Sequence, residues 1–296
     1  MEPSKVFIIR EISPEALVKA YDAVGVELPG NVLVKVHSGE KGNQNFFGPK
    51  FFGAIQQRVG GTIGECNTAY AGARTNNADH RQLLKYHGWL DCFDVDLLDA
   101  DGDFAVEIPQ GKVIKENYLG SHIENYDSLL VIAHFKGHPM GGFGGSLKQL
   151  SIGCASSRGK VNIHTGGANT QSTLITDWVH GVCSQNAFLA AMADAAGSVV
   201  RYFDGKAVFV NIMANMSVDC DCCAVAENPC LADVGILAST DPVAIDRACL
   251  DIVHNSDDPG RGHFLQRVSR QNGEFIIPCA VEQGAGSDTY ELIEIG

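Results

Sequence analysis

At 296 residues, 45% of them hydrophobic and 19% charged, the chain has a globular composition and enough length to bury a large core. Its formal net charge of −13 argues against general binding to nucleic acid or to anionic membranes. No run approaches the ~20 apolar residues of a membrane span, and residues 1–10 lack the apolar core of a secretion signal. The expectation is therefore a cytoplasmic protein, in which ten cysteines are free thiols or metal ligands rather than a disulfide framework.

Residues 6–9 predict a strand, and 14–24 a helix that begins near Ser13 with Pro14 in its first turn. Residues 31–37 form an apolar run of strand length. A helix over 49–59 follows, then a Gly60-Gly61 turn and a short strand at 62–65. A helix over 79–87 precedes strands at 95–98 and 104–108, and 128–134 predicts a buried strand leading into a glycine-rich stretch. Beyond a polar segment come a helix over 186–199, a strand at 207–212, a cysteine cluster and a strand at 234–238. Helices over 242–253 and 261–272 and a last strand at 289–295 complete the chain. This alternation predicts an α/β fold, a mainly parallel mixed sheet flanked by helices, in one domain over 1–296. A break near residues 120–128 admits two lobes around one cleft. Ligands in such folds gather at the carboxyl ends of strands. Polar clusters follow strands at 37–43, 65–74 and 134–145, which favours one shared cleft.

Four of the ten cysteines fall within eleven residues: Cys220, Cys222, Cys223 and Cys230. Thiolates attract metals and oxidants, so such crowding seldom serves packing alone. In an extended segment Cys220 and Cys222 point the same way and reach one metal, whereas Cys223 points elsewhere and Cys230 returns after Pro229. The spacing is neither that of a zinc ribbon nor the C-x2-C-x2-C run of a ferredoxin. The competing reading is a set of reduced thiols, with Cys222-Cys223 prone to a strained vicinal disulfide. Cys154 and His164 offer a further Cys/His pair of ligands. The remaining cysteines pack as small hydrophobes.

The glycine-rich run 136–145 allows close backbone approach, so amides around Gly144 and Gly145 can cradle an anion ahead of the next helix. Lys136 and Lys148 supply charge, and His138 can move a proton near neutral pH. The run ends as neither a P-loop nor G-x-G-x-x-G, so no nucleotide cofactor is indicated. The plain alternative is a loop packed tightly on a strand. Lys35, His37 and Asn43 follow one strand as candidate substrate contacts. Glu65 follows another as a base or ligand, and Arg74 can hold a carboxylate or phosphate bidentately. Asp241 and Pro242 are a helix cap and first turn.

Several segments together resemble the DUF362 family: VKVHSGEKGN at 34–43, NTAYAGAR at 67–74, HFKGH at 134–138 and GFGGSLK at 142–148. GCAS at 153–156, DCDC at 219–222 and ASTDPVAID at 238–246 continue the pattern in the family's order over nearly the whole chain. Members are commonly labelled uncharacterised iron–sulfur centre proteins, and the resemblance implies a cytosolic protein typical of anaerobes without a settled reaction. Many members carry an inserted ferredoxin-like segment with repeated C-x2-C-x2-C-x3-C-P after the position of His164. Here residues 165–186 are short and contain only Cys183, so those clusters cannot form.

The expected function is a metal- or iron–sulfur-dependent enzyme, redox or metal-assisted, acting on a small anionic metabolite. Cys220 and Cys222, with Cys223, Cys230, Cys154 or His164, would hold iron–sulfur or zinc. His138, Lys136 and Glu65 would be catalytic; Arg74, Lys35, His37, Asn43, Gly144, Gly145 and Lys148 would bind substrate. An iron–sulfur centre would need an external electron donor. The alternatives are a non-catalytic metal- or anion-binding protein and a subunit of a redox complex.

Overall fold

The structure is a computed structural model that describes residues 2–175 and 183–296. Among these residues the strands are β1 (Ser4–Ile9), β2 (Val32–Lys35), β3 (Thr62–Glu65), β4 (Asp96–Leu97), β5 (Asp103–Glu107) and β6 (Glu116–Gly120). They continue with β7 (Ser128–His134), β8 (Lys136–His138), β9 (Gly142–Gly144), β10 (Ala207–Met213), β11 (Gly235–Ser239) and β12 (Tyr290–Glu294). Eight of them form one sheet in the order β12-β1-β11-β10-β7-β2-β3-β4, while β5 pairs with β6 and β8 with β9.

In the large sheet β11 runs antiparallel to both neighbours, β1 and β10, and the other pairings are parallel. The fold is therefore mixed α/β with a mainly parallel sheet. The central strands β7 (SLLVIAH) and β10 (AVFVNIM) are buried at every residue, as near-continuous apolar strands covered on both faces must be. Their period of two sorts them: Leu129, Val131 and Phe209 join one core, and Leu130, Ile132, Val208 and Val210 join the other. The helices Gln185–Tyr202, Pro242–His254 and Ile276–Glu282 cover the first face. Pro14–Ala23 and Gly53–Val59 cover the second.

Local chemistry sets the helix starts. The hydroxyl of Ser13 accepts the amide of Ala16 at 3.0 Å, and Asp241 accepts the amides of Val243 and Ala244 at 2.9 and 3.0 Å. The strand at 62–65 and the strand at 128–134 form with the bounds their sequences predict. The glycine-rich run differs: residues 136–144 are a β-hairpin, β8 and β9, rather than an open loop. The polar segment after it holds the helix Ser157–His164, capped by Ser156, which the apolar pattern does not reveal. The expectation for residues 165–186 lies in part outside the described residues. Among the described residues no helix is long and apolar enough to cross a membrane.

Candidate functional site

Four adjacent parallel strands, β10, β7, β2 and β3, end on one edge of the sheet, and the segments that leave them converge there. They enclose a cavity of about 230 Å³. His37 follows the end of β2, Glu65 ends β3 and Arg74 comes from the segment after it, His138 from the hairpin after β7 and Lys148 from the short helix Ser146–Lys148 beyond that hairpin. Lys160 and His164 come from the helix Ser157–His164, and Cys222 from the loop after β10. The clusters expected to share a cleft thus face one cavity.

The cysteine loop is pinned by groups distant in sequence. The Asn43 side-chain amide donates to the carbonyls of Cys220 and Cys223 at 3.3 and 2.9 Å, and the Glu40 amide donates to that of Asp221 at 2.8 Å. The Asp221 carboxylate faces inward, 2.9 Å from both Lys136 Nζ and His134 Nδ1. Gly137 makes this approach feasible, since its amide donates to Ser217 at 2.7 Å and a Cβ there would lie 2.3 Å from the Val218 carbonyl.

Three donors converge beside this loop. Among the described residues His138, Cys220 and Cys222 offer ligand atoms that all lie within 4.8 Å of one another. Cys222 Sγ is 3.8 Å from His138 Nε2. Lys148 Nζ and the Cys222 amide each donate to Cys220 Sγ at 3.4 Å. Burial pushes the Cys220 thiol up, but the hydrogen bond from the Cys222 thiol and the Lys148 ammonium outweigh it and hold it well below its ordinary value. Donating to Cys220 correspondingly pushes the Cys222 thiol well up, so one proton serves the pair. Burial and the neighbouring Lys148 lower His138 to about 4, so its ring is neutral at physiological pH. Its Nδ1 accepts the amides of Gly141 and Met140 at 2.8 and 3.2 Å, which leaves Nε2 facing the sulfurs.

The other expected residues take varied positions. Cys223 is half-buried outside the ligand group, and Cys230 bonds the Met216 carbonyl at 3.6 Å. Cys154 is buried, and its carbonyl accepts the Cys66 thiol at 3.7 Å. His164 lines the cavity but donates from Nδ1 to the Lys160 carbonyl at 2.6 Å and stacks on Phe188. All ten cysteines are free, Cys222 and Cys223 included.

Lys136, expected to neutralise substrate, faces Asp221 instead. Lys35 is wholly buried on Glu65 at 2.7 Å, too deep to touch a ligand. Glu65 lines the cavity, yet it also accepts the amide and hydroxyl of Ser38 at 2.8 and 2.9 Å. Lys35 and Arg74 together overcome the burial that would raise Glu65 and hold it well below the usual carboxylate range, which suits a fixed anion rather than a base. Arg74 is held by Glu40 at 3.2 Å and by the Tyr70 hydroxyl at 2.6 Å. His37 is lowered to about 3 by burial and by Arg74. Asn43 positions the cysteine loop.

The glycine-rich run does cradle an anion, but the anion is the protein's own. The amides of Ser146 and Leu147 donate to the Asp246 carboxylate at 2.8 and 2.9 Å, and Asn211 donates to it at 2.7 Å. A Cβ at Gly145 would lie 2.4 Å from Asp246 Oδ1. Neither Gly144 nor Gly145 lines the cavity. Of the basic residues Lys136, Lys148, Arg158 and Lys160, which could form a local basic pocket, Lys148 and Lys160 line the cavity, and the placement of Lys160 one helical turn before His164 shows only once that helix is known.

The chain matches the family described as Domain of unknown function (DUF362) over residues 32–251 and belongs to it. No curated protein matches the chain. Among solved structures it is similar to the lactate racemase apoprotein from Thermoanaerobacterium thermosaccharolyticum, at 14% identity and a TM-score of 0.42. That similarity covers 70% of this chain and 50% of the racemase, so the chain spans half the length of that protein.

Proposed function

We propose that this protein is a metal-dependent enzyme that acts on a small anionic metabolite in the cavity at the carboxyl end of the sheet. The observation that carries this reading is the convergence of His138, Cys220 and Cys222 at the wall of a cavity that Lys148, Lys160 and Arg74 also line. Two sulfurs and one imidazole suit a single ion of the zinc type with an open position better than an iron–sulfur cluster, which takes more cysteines than this group offers. Cys220 already favours the thiolate that a metal requires. His138 fits through Nε2, whose proton the metal would replace, while the two amides on Nδ1 keep the ring in place. A bound ion would act as a Lewis acid on an oxygen of the substrate.

The protein's own groups do the rest. Lys148 balances the thiolate charge, and Arg74, braced by Glu40, presents a fixed cationic face. Glu65 serves as a structural counter-ion, not as the base. The cavity is too small for a dinucleotide.

The test is elemental analysis of protein purified without oxygen, alongside the double variant Cys220→Ser/Cys222→Ser. The expected result is stoichiometric metal in the wild type and none in the variant. Metal retained by the folded variant, or a metal-free wild type that cannot be loaded, would overturn the assignment.

A further inference from the structure

The cations around the cavity are balanced, with one exception. Lys35 sits 2.7 Å from Glu65, Arg74 3.2 Å from Glu40, Lys136 2.9 Å from Asp221 and Lys148 3.4 Å from the Cys220 sulfur. Lys160 is buried too, at 6% exposure, and lines the cavity. Its Nζ donates to the Ala155 carbonyl at 2.5 Å, and no ion pair within 4.0 Å is formed by it among the described residues. Asp99, an acid whose charge acts on it, is occupied by the amides of Asn67 and Ser157 at 2.8 and 3.1 Å.

An ammonium carries three donors, so donors remain for a ligand after the bond to Ala155. A buried charge without a partner is costly, and an anion in the cavity would relieve that cost. The surrounding wall includes the apolar side chains of Ala69, Met140 and Ile152. Its volume of about 230 Å³ lies below the usual range for drug-sized ligands.

We infer that Lys160 anchors the carboxylate of a small monocarboxylate whose apolar body lies against Met140 and Ile152. This deepens the proposed reading and rests on it for the site. One unbalanced cation calls for one negative charge, which favours a monocarboxylate over inorganic phosphate or a dicarboxylate. The far end of such a molecule meets the wall formed by His138 and Cys222, where the metal is proposed. Arg158 takes no part: it pairs with Asp103 at 3.0 Å and lies over the Tyr118 ring.

Isothermal titration of the full chain with butyrate, succinate and inorganic phosphate tests this. Butyrate should bind more tightly than the other two, and Lys160→Met should weaken it roughly tenfold or more, a loss of about 1.4 kcal/mol. Equal binding in Lys160→Met, or phosphate or succinate binding as tightly as butyrate, overturns the inference. Should Lys160→Met fail to fold, NMR of wild-type protein carrying 15N at the lysine Nζ decides. Butyrate must then shift the Lys160 signal, and no shift counts against the inference. Metal content measured on the same samples separates the two readings, because metal-free protein that binds butyrate through Lys160 sinks only the metal.

Discussion

Lys136 Nζ lies 2.9 Å from Oδ2 of Asp221, the residue that separates Cys220 from Cys222. Both partners are buried, and His134 approaches the other carboxylate oxygen at 2.9 Å. The side chain between the two sulfurs thus points into the protein while the sulfurs lie beside His138, and a turn rather than the expected extended segment arranges them so: the Cys223 amide donates to the Cys220 carbonyl at 2.9 Å. The ion pair therefore holds the register of the candidate ligands.

Asp221→Asn should be severely destabilising, because it strands Lys136 and His134 without their counter-charge. Breaking a buried pair in this way costs about 3–5 kcal/mol. His134 and Lys136 outweigh burial and hold the Asp221 carboxyl well below its ordinary value. Its stabilisation is therefore present above ~3.9, the unfolded value, and is lost as pH falls from there toward the folded value. Urea unfolding should show the gap between wild type and variant largest at neutral pH and shrinking below about pH 4. A gap that grows on acidification would contradict the assignment.

Lys148→Met should raise the pH at which Cys220 ionises. An opposite charge within a few ångströms moves a titration by about one to three units, and here the ammonium stands 3.4 Å from the sulfur. Thiolate ultraviolet absorbance of metal-free protein, followed against pH, reports it. An unmoved midpoint would show that the Cys222 hydrogen bond suffices alone.

Gly137→Ala should loosen the metal site through the backbone. The added methyl would meet the Val218 carbonyl at 2.3 Å, forcing apart the hairpin that carries His138 and the loop that carries Cys220. Overpacking of this kind costs about 1–3 kcal/mol, and bound metal should fall with it. Gly262→Ala is the control, since that helical glycine faces open space and the change should be neutral or mildly stabilising. Chemical denaturation with elemental analysis reads both.

His122 should make stability fall on the alkaline side of neutrality. Its two ring nitrogens lie 2.7 Å from Asp96 and 2.8 Å from Asp101, and these hydrogen bonds raise it above its ordinary value. A raised histidine contributes fully below its unfolded value, ~6.5, and that contribution disappears as pH rises through the folded value. His122→Gln should remove this dependence at a cost within about 1 kcal/mol near pH 6, as for other pairs close to the surface. Guanidinium unfolding across pH 6–9 checks it; an unchanged profile would assign the slope elsewhere.

Much of this was legible locally. Continuous apolar runs marked β7 and β10 because a strand buried on both faces needs no polar side. Ser13 and Asp241 announced their helices because capping is decided within three residues. The Cys-x-Cys spacing suggested two sulfurs for one ion, but the extended segment expected to align them is a turn closed by the Cys223 amide on the Cys220 carbonyl. The helix Ser157–His164 stayed hidden because its buried face includes Gly159, Lys160 and Asn162, polar or small residues without a hydrophobic stripe.

The assignment of partners belonged to the tertiary structure. The residue types around Lys136, Glu65 and Gly145 were all visible in the chain: Lys136 and Gly145 suggested an anion site, Glu65 a base or ligand. Which of them faced a charge of the protein's own depended on contacts between residues distant in the chain: Asp221 for Lys136, Lys35 for Glu65, Asp246 for the amides after Gly145. Sequence determined the sheet, the helix starts and the pool of chemical groups, because those follow from periodicity and near-neighbour hydrogen bonds. Only the folded arrangement decided which charges cancel and which remain for a ligand, because Coulomb and hydrogen-bond energies depend on distance in space.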